Sequence, residues 1–188
     1  MSSTIKIVGF TGSLREQSYN KAALYAAQAL LPSEAEMEIL SLADLPLYNQ
    51  DLERNEPEAV RRFKEKIRQA DAVLIVTPEF NFSIPGVLKN AIDWASRPAG
   101  RSVLTGKPTA IMGVGGRMGT ARAQAHLRQI LDHLKVAVLD EPRVYIASGW
   151  EKFDSDGHLT DEATHQQIQG LLEALLDEVK SREYALAS

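Results

Sequence analysis

The chain alternates between short unbroken apolar runs and longer stretches in which apolar residues return every three or four positions. Residues 4–10 (TIKIVGF), 72–76 (AVLIV) and 109–114 (TAIMGV) are apolar runs. Runs of that length without polar alternation suit strands buried on both faces of a parallel sheet. Residues 36–40 (EMEIL) alternate and read as a second strand in chain order. A fifth strand is predicted in two pieces, 135–139 and 143–146, around Asp140-Glu141-Pro142. The helical patterns fall between these runs. Residues 21–31 (KAALYAAQALL) are alanine-rich and stopped by Pro32, and 57–69 (PEAVRRFKEKIRQ) are amphipathic with proline at the start. A third helix, with Ser83 as its expected cap and Pro85 in its first turn, runs to about Trp94. Residues 121–134 form a fourth. In the closing helix, 160–187, Ile168, Leu171, Leu172, Leu175 and Val179 recur at helical spacing.

Strands alternating with helices five times imply one three-layer α/β domain, residues 1–188. A five-stranded parallel sheet with helices on both faces fits the flavodoxin-like order 2-1-3-4-5 better than a six-stranded dinucleotide fold. Composition narrows the function classes. A length of 188 residues at 44% hydrophobic supports a sizeable core, and a net charge of −4 offers no basic surplus for nucleic acid. The absence of cysteine excludes disulfides, thiolate catalysis and cysteine-held metal clusters. The start, MSSTIKIVGF, has no basic leader, and no run approaches the roughly 18 apolar residues of a membrane span, so the expected location is cytoplasmic.

The loops at the carboxyl ends of the parallel strands carry the candidate chemistry, because such sheets bind ligands there. The first, Gly12-Ser13-Leu14-Arg15-Glu16-Gln17-Ser18-Tyr19-Asn20, is longer than the usual strand-to-helix loop of about 2–6 residues. Hydroxyls at Ser13 and Ser18, the Arg15 fork, the Asn20 amide and the positive end of the following helix are what a phosphate monoester requires. Two better-known phosphate loops do not match. Gly9-Phe10-Thr11-Gly12-Ser13-Leu14 is not Gly-x-Gly-x-x-Gly, and Gly100…Gly106-Lys107-Pro108 has the wrong spacing and follower for a P-loop. The second loop, Pro78-Glu79-Phe80-Asn81-Phe82-Ser83, sets two aromatic rings among polar groups, suited to a flat ligand. One of the two phenylalanines is expected to pack inward under the loop. Gly113, Gly115, Gly116 and Gly119 crowd the third loop and let main-chain amides approach closely. A phosphate at the first loop and a flat ring at the others describe FMN.

TGSLREQSYN, TPEFNFSIPGVLKNAIDWASRP and GGRMGTARAQAHLRQ closely resemble the NADPH-dependent FMN reductase family, in its chromate and quinone reductase branch. The resemblance runs from the first strand through the fourth helix and weakens toward the C-terminus. It implies non-covalent FMN, reduced by NADPH or NADH, and two-electron reduction of small-molecule acceptors in ping-pong order. Quinones lead these acceptors, with chromate, nitro and azo compounds beside them. It also implies a homodimer or homotetramer. By motif match Ser13, Arg15, Ser18 and Asn20 would hold the phosphate, with Gly12, Leu14 and Tyr19 in the same loop. Pro78, Glu79, Phe80 and Asn81, with Phe82, would line the ring, and Gly113, Gly115 and Gly116 would lie near its other side. Phe80 departs from the tyrosine usual in the family, and the Gly115-Gly116 loop lacks a serine that many relatives have.

Hydride delivery needs no general acid or base, so no side chain is assigned a catalytic role. The pairs His126/His133 and His158/His165 show no carboxylate at ligand spacing, and no metal site is expected. Asp93 and Trp94 are expected to be buried and to fix the end of the third helix. Alternatively Trp94 joins Arg122, His126 and Arg128 in a subunit interface. The competing function is a flavodoxin-type electron carrier without NAD(P)H turnover. Such carriers are more acidic than 25 acidic against 21 basic residues.

Overall fold

Five predicted runs become neighbours in one parallel sheet. In the computed structural model, which describes residues 4–187, the strands are β1 (Ile5–Thr11), β2 (Ala35–Leu40), β3 (Ala72–Val76), β4 (Pro108–Val114), β5 (Ala137–Val138) and β6 (Val144–Ile146). Their order is β2-β1-β3-β4-β5, with β6 also pairing β4, and every pairing is parallel. This is the flavodoxin-like order. The fifth position is filled in two pieces as the sequence indicated: β5 pairs Pro108–Thr109, and β6 pairs Met112–Val114. The absence of a leader was read partly from residues 1–3, which lie outside the described residues. Among the described residues no helix is long and apolar enough to cross a membrane.

The helices are α1 (Tyr19–Ala29), α2 (Glu58–Gln69), α3 (Gly86–Ala95), α4 (Ala121–His133) and α5 (Glu162–Ala187). Side chains along a strand point alternately to opposite faces, so each buried strand feeds two cores. Ala72, Leu74 and Val76 of β3, with Ala110, Met112 and Val114 of β4, pack under α1 and α5. Val73, Ile75 and Ile111 face the other way, into a core with Val60, Phe63 and Ile67 of α2, Leu88 and Trp94 of α3, and Leu127 and Leu131 of α4. The predicted amphipathic character of α2 is thereby accounted for.

Two helix starts and one connection differ most from expectation. Helix α1 begins at Tyr19, two residues early, because Ser18 caps it and accepts from the Lys21 N–H at 3.5 Å. The cap of α3 is Pro85, whose carbonyl accepts from Leu88 and Lys89, and not Ser83. The turn-rich stretch after β2 contains a short 3-10 helix at Gln50–Asn55. Trp94 is fully buried and donates through Nε1 to the Pro46 carbonyl at 2.8 Å, with Tyr48 edge-on at 5.1 Å. It therefore ties α3 to the β2–α2 connection and is not free for a subunit interface. Asp93 is half-buried and paired with Lys89 at 2.7 Å, not sealed in the core.

The start of α5 carries the chain's clearest acid-sensitive contact. Asp161 accepts from the Thr164 hydroxyl at 2.7 Å, the Thr164 N–H at 2.9 Å and the Lys152 ammonium at 2.9 Å. The Thr164 hydroxyl foremost, then Lys152, holds its carboxyl down at about 2, against an ordinary 3.8. A carboxyl with a lower pKa folded than unfolded stabilises the fold above its unfolded value. That contribution fades as pH drops from about 4 through about 2. Thermal melts across this range are expected to show a steeper acid loss for the wild type than for Asp161→Asn, which is already less stable at neutral pH. Parallel profiles would remove Asp161 from the acid response.

Candidate cofactor site at the carboxyl edge

The loops leaving β1, β3, β4 and β6 meet at one edge of the sheet. The first, between β1 and α1, starts at Gly12, whose N–H donates to the Val76 carbonyl at 3.0 Å. A Cβ there would lie 3.1 Å from Pro85 and 3.2 Å from Leu88, so the glycine brings the loop against the start of α3. Leu14, Arg15, Glu16 and Gln17 are exposed, Ser13 is half-buried, and Ser18 is buried as the cap. The early start of α1 puts Tyr19 and Asn20 in its first turn, where N–H groups have no intrahelical partner and the helix end is positive. Arg15 enters no ion pair among the described residues, and its guanidinium sits 5.7 Å from the Tyr19 ring centroid. The Tyr19 ring stacks on Phe153 with centroids 5.9 Å apart.

Asn20 is built into the foundation of this loop. Its amide donates to the Val114 carbonyl at 2.8 Å and accepts from the Val114 N–H at 2.9 Å, all buried. Two main-chain groups at the end of β4 thus find partners on α1. A phosphate at this loop would meet the Asn20 main chain, while the side chain holds α1 and β4 together.

The second loop reverses sharply. Phe80 and Ser83 exchange two main-chain hydrogen bonds of 3.0 Å, and the intervening Asn81 and Phe82 have φ of 50° and 64°. Left-handed φ is tolerated by asparagine and strained for phenylalanine. The strain is held by α4. The Glu79 carboxylate accepts from the N–H groups of Arg122 at 3.0 Å and Ala123 at 3.1 Å, and from Arg122 Nε at 2.9 Å. The Arg122 guanidinium lies 3.9 Å from the Phe82 ring centroid, and Ser83 Oγ is 3.0 Å from His126 Nδ1. Glu79, read as a ring-lining residue, therefore spends its carboxylate capping α4. Neither phenylalanine packs inward: Phe80 is 54% exposed and Phe82 62%. A two-residue reversal leaves no room beneath it for a ring.

Glycine at the third loop serves close approach. A Cβ on Gly113 would fall 2.1 Å from the Thr77 carbonyl oxygen, and one on Gly115 would fall 2.1 Å from that of Gly119. Gly116 faces open space, and Gly119 turns the chain at φ 62°. A fourth element escaped the sequence reading. Residues 148–150 form a strap, in which Ser148 N–H donates to the Gly116 carbonyl at 3.0 Å and Gly149 N–H to that of Gly115 at 3.3 Å. Gly149 lies so near Val114 and Tyr19 that a Cβ would stand 2.6 and 3.0 Å from them. The only signal in the sequence was a glycine just after a strand.

The histidines separate. His126 is spent on the second loop, and His133 is exposed at the end of α4. His158, expected to lack carboxylate neighbours, shares a turn with Asp154 and Asp156. There Asp154 accepts from the His158 N–H at 2.8 Å, which leads the causes holding its carboxyl below its ordinary value. Beside the first loop, a groove of about 740 Å³ runs past Arg15, Ser18, Lys21, Tyr25, Asp154 and His158.

A flavodoxin-like sheet with a donor-rich first loop, an exposed aromatic reversal and a glycine-built third loop defines a flavin-nucleotide-binding α/β protein. Residues 5–151 match the model of the NADPH-dependent FMN reductase family, and the chain belongs to that family. It is 51% identical over 177 residues to an NAD(P)H-dependent FMN reductase of Pseudomonas aeruginosa, covering 93% of this chain and 95% of the relative. It is 43% identical over 179 residues to a 2-hydroxy-1,4-benzoquinone reductase of a Burkholderia species, covering 95% and 98%. Among solved structures it resembles FerB, a flavoenzyme NAD(P)H:(acceptor) oxidoreductase from Paracoccus denitrificans. That match has a TM-score of 0.87 and 40% identity over 94% of this chain and 98% of the other.

The Asn20 bridge is directly testable. Asn20→Ala strands a buried N–H and a buried carbonyl, each costing about 1–3 kcal/mol, so a loss of about 2–4 kcal/mol is expected in denaturant unfolding. Asn20→Asp keeps an acceptor for the Val114 N–H but turns a carboxylate on its carbonyl, and is expected to fare no better. A loss under about 1 kcal/mol for Asn20→Ala would show that water replaces the amide.

Proposed function

We propose that the chain is an FMN-dependent NAD(P)H oxidoreductase that reduces quinones by two electrons. The supporting observation is the combination, on one edge, of a first loop with uncommitted phosphate donors and a third loop whose glycine surface is open at Gly116. Ser13, Arg15 and the first-turn N–H groups of α1 offer several donors and one positive charge, the requirement of a single phosphate. These residues fit FMN, and the Gly115-Gly116 stretch with the exposed Phe80 face suits its ring. FMN, when bound, supplies the two-electron chemistry that links nicotinamide to acceptor.

The chain's own residues bind and orient. Arg15, Ser13 and Ser18, with Gly12, Leu14 and the Tyr19 and Asn20 main chain, are the proposed phosphate cradle. Pro78, Phe80, Asn81 and Phe82 are the proposed ring border, held by the Glu79–Arg122 pair, with Gly113, Gly115 and Gly116 opposite. In the net reaction NAD(P)H and one proton convert a quinone to its hydroquinone. Chromate, nitro and azo compounds are proposed as further acceptors, since an open edge is not shaped around one oxidant. The reading takes residues 1–188 as one FMN-binding domain working in the cytoplasm, where reduced nicotinamide nucleotides are supplied. It also takes the chain as a homodimer or homotetramer. A groove of about 780 Å³ between α3 and α4, with Ile92, Ile130 and Leu134 among its lining, is the face offered to a second copy.

The purified protein is expected to be yellow, to carry FMN, and to oxidise NADPH or NADH when a quinone is added. A protein that stays colourless after supplementation with FMN would sink the reading. A yellow protein whose flavin NAD(P)H does not bleach would be an electron carrier instead. Arg15→Ala is expected to weaken FMN retention by about 1.5–3 kcal/mol, the range of a charged hydrogen bond. Equal FMN affinity in the variant would deny Arg15 the phosphate.

A further inference from the structure

We infer that Trp150 is a specificity residue for the acceptor half of the reaction, an aromatic platform against which flat, uncharged quinones stack. The inference rests on the quinone-reductase reading above. Trp150 is 52% exposed, an unusual place for an indole in a chain with only one other tryptophan, the fully buried Trp94. Its mount is rigid. The strap that carries it is bonded to Gly115 and Gly116 through Gly149 and Ser148, and closes on itself through Glu151 N–H to Ser148 carbonyl at 2.8 Å and Lys152 N–H to Gly149 carbonyl at 3.1 Å. Ser148 is held in the left-handed region at φ 51°, and Gly149 fits against Val114 and Tyr19 only because it lacks a side chain. Strained, over-determined backbone of this kind concentrates where a side chain must be aimed.

Trp150 follows Gly149, whose main chain meets Gly115, and comes two residues after Ser148, which meets Gly116, so the assignment sets the indole beside the proposed ring site. Leu14 and Met118, both exposed, share this edge. A planar apolar molecule entering there meets a preset aromatic face at little ordering cost, since an indole has two rotatable bonds and its backbone is already fixed.

The chemistry of the side chain argues for the acceptor over the nucleotide donor: an indole offers a flat apolar face to a planar quinone and no charge to the phosphates of NAD(P)H. Trp150 touches substrate in this assignment, without transferring a proton or electron.

The test uses the FMN-loaded protein and menadione as the quinone, with ferricyanide as the charged inorganic acceptor. Trp150→Ala is expected to raise the KM for menadione about 3- to 10-fold, the scale of one aromatic stacking contact. It should leave kcat, the KM for NADPH and FMN content within twofold, and Trp150→Phe should recover most of the loss. Independently of turnover, menadione added to the oxidised protein without donor should quench indole emission, and the quenching should vanish in Trp150→Phe. An unchanged menadione KM overturns the assignment, and so does quenching that survives the substitution. Equal rises for menadione, ferricyanide and NADPH would also overturn it, by showing that the strap is merely structural. Wild-type protein that lacks flavin or NAD(P)H turnover would instead overturn the functional reading on which the assignment stands.

Discussion

Everything at the carboxyl edge depends on how tightly backbone can approach the last residues of β4. At Gly113 the Thr77 carbonyl sits where a Cβ would be, and at Gly115 the Gly119 carbonyl does the same. Val114 between them gives its N–H and carbonyl to the Asn20 side chain and its Cγ1 to the contact with Gly149. Three consecutive residues thus receive the loops from β1, β3 and β6 as well as their own. Side chains at positions 113 and 115 would push apart the segments that must meet, and strain of that size exceeds what neighbouring contacts recover. The rest of the fold, with strands sealed between two apolar layers, holds this junction still.

A division of labour follows among the polar residues of the edge. Asn20, Glu79 and Ser83 use their side-chain hydrogen-bonding capacity on protein partners, fixing loops to β4 and α4, and the Thr77 N–H adds a bond to the Met112 carbonyl of β4. The Ser13 hydroxyl, the Arg15 guanidinium and the Tyr19 and Asn20 N–H groups have no such partner among the described residues, and these are the donors an anion needs. A buried polar group without a partner costs more than a satisfied one gains, so the scaffold's polar groups had to be paired off first. The Glu79 carboxylate shows what motif position leaves open: in the loop proposed to line the ring, it touches the start of α4, where a negative charge meets the helix dipole.

The fold was largely legible because its signals are local. Double-sided burial writes itself as AVLIV and TAIMGV, and the break at Asp140-Glu141-Pro142 announced a strand in two pieces. The donor-rich first loop was legible for the same reason, being one continuous stretch between β1 and α1. What escaped depends on contacts distant in sequence. Ser83 as a helix cap was sound by propensity, but the Phe80–Ser83 reversal claims it first. Phenylalanine at φ 64° is not readable from a tripeptide, because Arg122, forty residues downstream, stabilises it. The buried role of Trp94 was read correctly, whereas the strap at 148–150 gave too little pattern to be singled out.

The character of the exposed edge bears on which chemistry it serves. A carrier that docks on protein partners needs a charged rim, since long-range attraction sets its encounter rate and like charge rejects wrong partners. Here the side chains facing outward at the edge include Leu14, Phe80, Phe82, Met118 and Trp150. The guanidinium nearest the second loop is neutralised by Glu79. Apolar surface of that kind gains little from a large hydrated protein face approaching in many orientations. It gains much from a small planar molecule that can lie against several of these side chains at once. Under the proposed reading such a site holds its substrates by shape and stacking and so accepts many of them, which suits an oxidoreductase for varied quinones better than a dedicated electron carrier.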